Sequence, residues 1–165
     1  FGFSSGDVIL FAIVANIVAG VATIGVGRLD DRFGPRNVIM ASLGILVVAG
    51  VLVFLLHSAG TAAFWVLGLL LSACVGPAQS AARSFLARLI PEGQEGEIFG
   101  LYATTGRAVS FMAPMMYGVF IYLGTRVVGP GASYWGILGI VAVLATGLLL
   151  MLRVGDPVAD EEPAA

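Results

Sequence analysis

Residues Gly27 to Arg36 read GRLDDRFGPR, and this stretch decides the fold. It puts five charges, on Arg28, Asp30, Asp31, Arg32 and Arg36, between two long apolar runs. Such a link cannot sit in hydrocarbon, where polar groups find no water, so it turns at a membrane surface. The runs on either side are then membrane spans. Working outward, five runs of about 20 residues are long enough to cross a core of roughly 30 Å as helices. They lie at Asp7 to Gly27, Arg36 to Leu56, Ala62 to Arg83, Ile98 to Leu123 and Tyr134 to Leu152. The third is expected to continue as a helix to Ile90, where Pro91 and Gly93 stop it. Ser4 and Ser5, ahead of Asp7, read as an N-cap for the first.

Composition leads to the same class independently. With 59% hydrophobic and 11% charged residues and a mean hydropathy of +1.02, the 165 residues have too little polar surface to cover a soluble globule. Lipid is therefore a partner of the whole chain. All eight basic residues are arginine and the net charge is −2, a balance that does not point to nucleic acid. Cys74 is the one cysteine and lies inside an apolar run, so it forms no intrachain disulfide and reads as a small packing residue. The first run has no basic segment before it and no small-residue cleavage site after it, which excludes a signal peptide, and the start at Phe1 points to processing or truncation.

Arginine placement sets an orientation. Arg28, Arg32, Arg36, Arg83, Arg88 and Arg153 fall at one end of the spans, Arg126 at the other, and Arg107 inside the fourth. The positive-inside rule makes the richer end cytoplasmic, with the N-terminus outside and the C-terminus inside. Residues 1–154 form an all-α transmembrane bundle on this reading. Residues 155–165, with Asp156, Asp160, Glu161 and Glu162, form a disordered acidic tail.

The spacing of Gly27, Asp31, Arg32, Gly34 and Arg36 resembles the loop signature of the major facilitator superfamily, G-x-x-x-D-R-x-G-R-R, with Pro35 in place of the first terminal basic residue. The run GPAQSAARSFLARLIP from Gly76 to Pro91 and the run EGEIFGLY from Glu95 to Tyr102 are similar to the C-terminal half of that superfamily's vacuolar effluxer branch, whose members are linked to amino-acid export. The resemblance implies five of the six helices of one transporter half. It also implies that Gly27, Asp31, Arg32, Gly34 and Arg36 act as a conformational latch, and that a second copy or an N-terminal half completes the molecule. Read from charge alone, the same residues only fix topology.

Arg107 is the sharpest single-residue signal. It lies about 13 Å along the fourth run at 1.5 Å per residue, where a guanidinium is expensive and marks a pathway by default. Gly100, Ala103, Arg107, Ser110, Pro114 and Tyr117 share one helical face, which reads as a cavity wall. No acid lies within the core of a span to pair with Arg107, so an anionic substrate group, a partner subunit or backbone oxygens must satisfy it. On the third run Gly76 and Pro77 are expected to kink the helix, and Gln79 is a cavity candidate, whereas Arg83 snorkels to the surface. Asn16 on the first run either faces substrate or bridges helices. Ala15, Ala19, Thr23 and Gly27 recur every fourth position as a small face for helix packing.

Nothing in the sequence points to an enzyme or a cofactor. There are no paired carboxylates at membrane depth, no metal-ligand cluster and no glycine-rich phosphate loop, and His57 is alone in an outer link, where it is expected to be exposed. Two function classes remain. One is a transporter or transporter half moving a small solute, an amino acid or organic anion, by alternating access. The other is a non-transporting membrane subunit that stabilises or regulates a partner.

Overall fold

The computed structural model describes residues 5–91 and 93–154, apart from the side chains of residues 28, 29 and 31. The acidic tail, the capping role of Ser4 and the side chains of Arg28 and Asp31 lie outside the described residues. The elements are helices α1 (Ser5–Phe33), α2 (Pro35–Leu55), α3 (Thr61–Leu89), α4 (Glu95–Val109), α5 (Met112–Val128) and α6 (Gly136–Leu152), with a 3₁₀ turn at Ala132–Trp135. Five helical stretches among them are long and apolar enough to cross a membrane, α4 and α5 together making the fourth.

The charged stretch is not a loop. α1 has 29 residues, about 43 Å at 1.5 Å per residue, so its last two turns outrun the hydrocarbon and the charged residues emerge while still helical. Gly34 alone links α1 to α2. Its φ of 80° and ψ of 149° lie where only glycine is at ease. Pro35 follows at the first helical position of α2, where its missing N–H costs nothing, and it disfavours helical backbone at the residue before it. The Gly34 N–H closes α1 on the Asp30 carbonyl at 3.0 Å, and the Gly34 carbonyl opens α2 by accepting from Val38 at 3.3 Å.

α3 packs against both α1 and α2, α6 packs against α2, and α5 packs against α6. The close approaches rest on small residues. A methyl group added at Gly76 of α3 would strike Thr23 Oγ1 and the Ala19 carbonyl of α1, so the small face of α1 is a packing face as expected. One added at Gly139 of α6 would strike the Met116 carbonyl, and one at Gly50 of α2 would meet Val141 of α6. Opposite its packing face, α1 exposes Ile9, Ile13, Ile17, Val21 and Ile24, the stripe of a helix turned to lipid or to a partner.

Each end of the bundle is tied. At the arginine-rich end Val38, Ile39, Ala81 and Phe85 form a buried cluster, with Val26 and Met151 packed on it. At the other end His57 is half-buried rather than exposed. Its ring stacks on Tyr134 at 3.9 Å between centroids, its Nδ1 lies 2.9 Å from the Phe54 carbonyl, and Phe54 meets Trp135 edge-on at 5.8 Å. The isolated link residue is thus part of an aromatic clasp between the end of α2 and the start of α6.

Candidate functional site

Three turns of sequence build the charged hinge. α1 carries Gly27, Asp30, Asp31 and Arg32 in its last turns, Gly34 reverses the backbone, and Arg36 lies in the first turn of α2. Arg36 Nε donates to the carbonyl of Val154 at 2.9 Å, just past the end of α6. Carbonyls at a helix C-terminus lack intrahelical donors and favour a cation, which is what Arg36 supplies. Arg32 is exposed, its guanidinium 5.4 Å from the Phe33 ring centroid. The hinge therefore has one arginine fastened inside the chain and one turned outward.

Asp30 is the residue that sequence reading missed. It follows Ala19, Thr23 and Gly27 by helical spacing, so once α1 continues past Gly27 the carboxylate falls on the face packed against α3. Oδ1 of Asp30 is inaccessible to solvent and has no hydrogen-bond partner among the described residues. An unpartnered buried acceptor costs about 1–3 kcal/mol in desolvation. Its place three residues after Gly27, one helical turn on along the small face, is the signal that would have found it.

The residues expected to wall a solute pathway are spread over α1, α3, α4 and α5. The fourth span is broken: helical bonding lapses at Ser110 and Phe111, and Arg107 sits in the last turn of α4 rather than in the middle of one helix. The break has a local cause. Pro114, having no N–H, cannot bond back to the Ser110 carbonyl, and the Ser110 hydroxyl bonds to the Arg107 carbonyl at 2.7 Å. Tyr117, beyond the break, lays its ring against Gly136 of α6. Asn16 donates to the Ala12 carbonyl one turn back at 2.8 Å and borders a shallow groove of ≈ 270 Å³ with Ser72 of α3. Gln79 is exposed on α3. Arg107 is exposed too, and its guanidinium has no polar partner among the described residues.

α4 itself is the anomaly of the bundle. It buries none of its residues, makes no extensive contact with any other element, and every residue from 99 to 112 is exposed. A larger apolar groove of ≈ 450 Å³ opens between α2 and α3, bordered by Asn37, Ser42, Cys74 and Pro77. It contains none of the expected solute-binding residues.

The profile of the family described as "Vacuole effluxer Atg22 like" matches residues 1–156. The chain belongs to that family. The Bacillus subtilis (strain 168) protein described as "Uncharacterized MFS-type transporter YxiO" is 26% identical to this Atg22-like chain over 155 residues, which are 94% of the chain and 34% of that protein. "Autophagy-related protein 22-1" of Phaeosphaeria nodorum is 38% identical over 72 residues, covering 37% of the chain and 13% of that relative. The Atg22-like chain thus spans about a third of the length of YxiO. No solved structure matches it. The resemblance carried by the charged hinge and by Gly76 to Pro91 is borne out at the level of the family.

Proposed function

We propose that this chain is one half of a major facilitator transporter, moving a small anionic solute by alternating access, with α3 and α4 walling the pathway. The observation that carries this reading is the uncovered α4. An unpaired guanidinium facing hydrocarbon costs at least about 2.5 kcal/mol, so Arg107 requires a protein face or a watered cavity. A pathway between two halves supplies both, because in such transporters the site lies where the repeats meet. The relatives support this, since one of them, named as a transporter, is about three times as long as the matched chain. The second half is a second copy of the chain or a further segment of the same polypeptide. In this reading Arg107 holds a carboxylate of the solute, an amino acid or organic acid. Gln79, Ser110, Asn16 and Tyr117 border the same path, and the arginine-rich end faces the cytoplasm. Gly27, Asp31, Arg32, Gly34 and Arg36 act as the latch, with exposed Arg32 reaching toward the other half.

The test is binding by the wild type and by Arg107→Lys, measured with an amino acid and with its amide. Lysine keeps the charge but loses the planar two-point fork. Affinity for the carboxylate form is expected to fall roughly tenfold, the size of one lost charge-assisted hydrogen bond. The amide should bind weakly to both proteins. Equal binding of acid and amide by the wild type removes Arg107 from the site and leaves the alternative, a membrane subunit whose α4 docks on a partner.

A further inference from the structure

Under the crossing of α1 and α3, at the arginine-rich end, lies a small cavity between Thr23, Gly27 and Asp30 of α1, Val38 of α2, and Pro77 and Ser80 of α3. It leaves ≈ 10 Å³ for the centre of a water-sized particle, which is room for about one. Asp30 stands in its wall, and the Oδ1 atom of that carboxylate is inaccessible to solvent and accepts no hydrogen bond among the described residues. The other polar groups of the wall are hydroxyls. Thr23 spends its proton on the Ala19 carbonyl at 2.7 Å, so its oxygen has only lone pairs left to offer. Ser80 supplies a second hydroxyl and reaches the surface, which gives the cavity an entry. Among the described residues no basic side chain lines it: α2 contributes Val38, and α3 contributes Pro77, Ser80 and Ala81, with Arg83 exposed one turn further on.

A carboxylate beside hydroxyl oxygens, with no basic side chain among the described lining residues, is a hard oxygen donor set carrying one negative charge. One carboxylate falls short of the several that all-protein sites for divalent ions use, and no group of three acidic, histidine or cysteine side chains occurs among the described residues. We propose that the cavity binds one small monovalent cation of the sodium class, held by Asp30 with Thr23 and Ser80, and that the bound ion fastens the charged end of α1 to α3. This end carries the Gly34 hinge, so occupancy sets how firmly α1 is held where the chain reverses. The proposal rests on the cavity alone and stands apart from any solute at Arg107.

The experiment is thermal unfolding of the detergent-solubilised protein in sodium chloride, with choline chloride keeping ionic strength constant. A site that binds only the folded state raises the midpoint with the logarithm of sodium concentration once that exceeds the dissociation constant, by about 3–6 °C at ten times that constant. Asp30→Asn keeps the shape and removes the charge, and should abolish the sodium response. Glu97→Gln, an exposed acid outside the cavity, should keep it. If Asp30→Asn does not fold, Ser80→Ala decides, because it leaves the carboxylate and should move the onset of the sodium response to a several-fold higher concentration. Equal midpoints in sodium and choline mean that the cavity holds water only and overturn the proposal. A sodium response that survives Asp30→Asn, or is unaltered in Ser80→Ala, overturns it as well.

Discussion

Arg36 and Val154 meet across 118 positions of sequence, the Nε of one donating to the carbonyl of the other at 2.9 Å. The bond joins the first turn of α2 to the end of α6, beside the cluster in which Met151 packs on Val38, Ile39 and Phe85. The charged signature is therefore divided by Gly34 into two parts with different duties. Past the glycine, Arg36 ties the start of α2 to the end of α6. Before it, Arg32 is exposed and lies over the Phe33 ring, with no hydrogen-bond partner among the described residues, a disposition compatible with the proposed latch.

Removing the Arg36 side-chain donor should loosen the end of α6. Arg36→Gln is expected to lower stability by about 0.5–1.5 kcal/mol, the net worth of one exposed hydrogen bond. The amides of Arg153 and Val154, which bond to Leu150 and Met151, should exchange faster with solvent. Hydrogen exchange of the C-terminal peptide reads this directly. Unchanged exchange there would mean that apolar packing alone holds the end of α6.

Gly34→Ala tests the reversal itself. At φ 80° and ψ 149° a Cβ is strained although nothing crowds it, since no atom lies within 4 Å of where it would stand. The expected cost is about 1–3 kcal/mol. It should appear as a lower unfolding midpoint in detergent, whereas Gly96→Ala, equally uncrowded but at a helical position, should be nearly neutral. Equal midpoints for the two variants would show that the link relaxes to another backbone conformation.

Spans, their number and the class of protein were legible because lipid imposes a length and a composition that no local detail can override. The small face of Ala15, Ala19 and Thr23 was legible for a related reason: close helix approach needs small residues wherever it occurs. The charged stretch misled because charge was taken to end the helix at Gly27, when a helix longer than the bilayer carries charges without breaking. That error hid Asp30. His57 was misread because its neighbour Tyr134 is far away in sequence, and stacking across that separation leaves no periodic signal. The break at Ser110 was foreshadowed by Pro114, but the hydrophobic run continues through it. A convergence of Arg107, Gln79 and Asn16 was not legible at all and is not seen in the bundle, where they stand on three different helices.

The α5–α6 contact makes a sharper stability test than any polar group. At Gly139 an added methyl would strike the Met116 main chain, which cannot swing aside, whereas at Gly147 on the same helix it meets open space. Gly139→Ala should cost about 1–3 kcal/mol by overpacking. Gly147→Ala should be neutral or slightly stabilising, as glycine to alanine is within a helix. Thermal unfolding of both variants in one detergent decides it, and equal midpoints would mean that α5 and α6 separate more easily than their packing implies.

The proposed orientation is open to direct chemistry. The bundle ends sort the arginines: Arg36 is bonded at the α6 terminus, while Arg126 lies at the far end of α5 and bonds Tyr122 Oη at 2.6 Å. If the end rich in arginine faces the cytoplasm, the links after α2 and before α6 face outward. Reporter cysteines belong at Ser58 and Ser133, both exposed, rather than at Gly60 and Gly131, whose φ values of 92° and 105° would strain any side chain. In a Cys74→Ala background, Ser58→Cys and Ser133→Cys should react with an impermeant thiol reagent added to intact cells, and Gln94→Cys only after the membrane is opened. Cys74 is buried, so its removal should not disturb the outer surface. Labelling of Gln94→Cys alone in intact cells would invert the topology, and with it the side on which the Gly34 hinge and its arginines act.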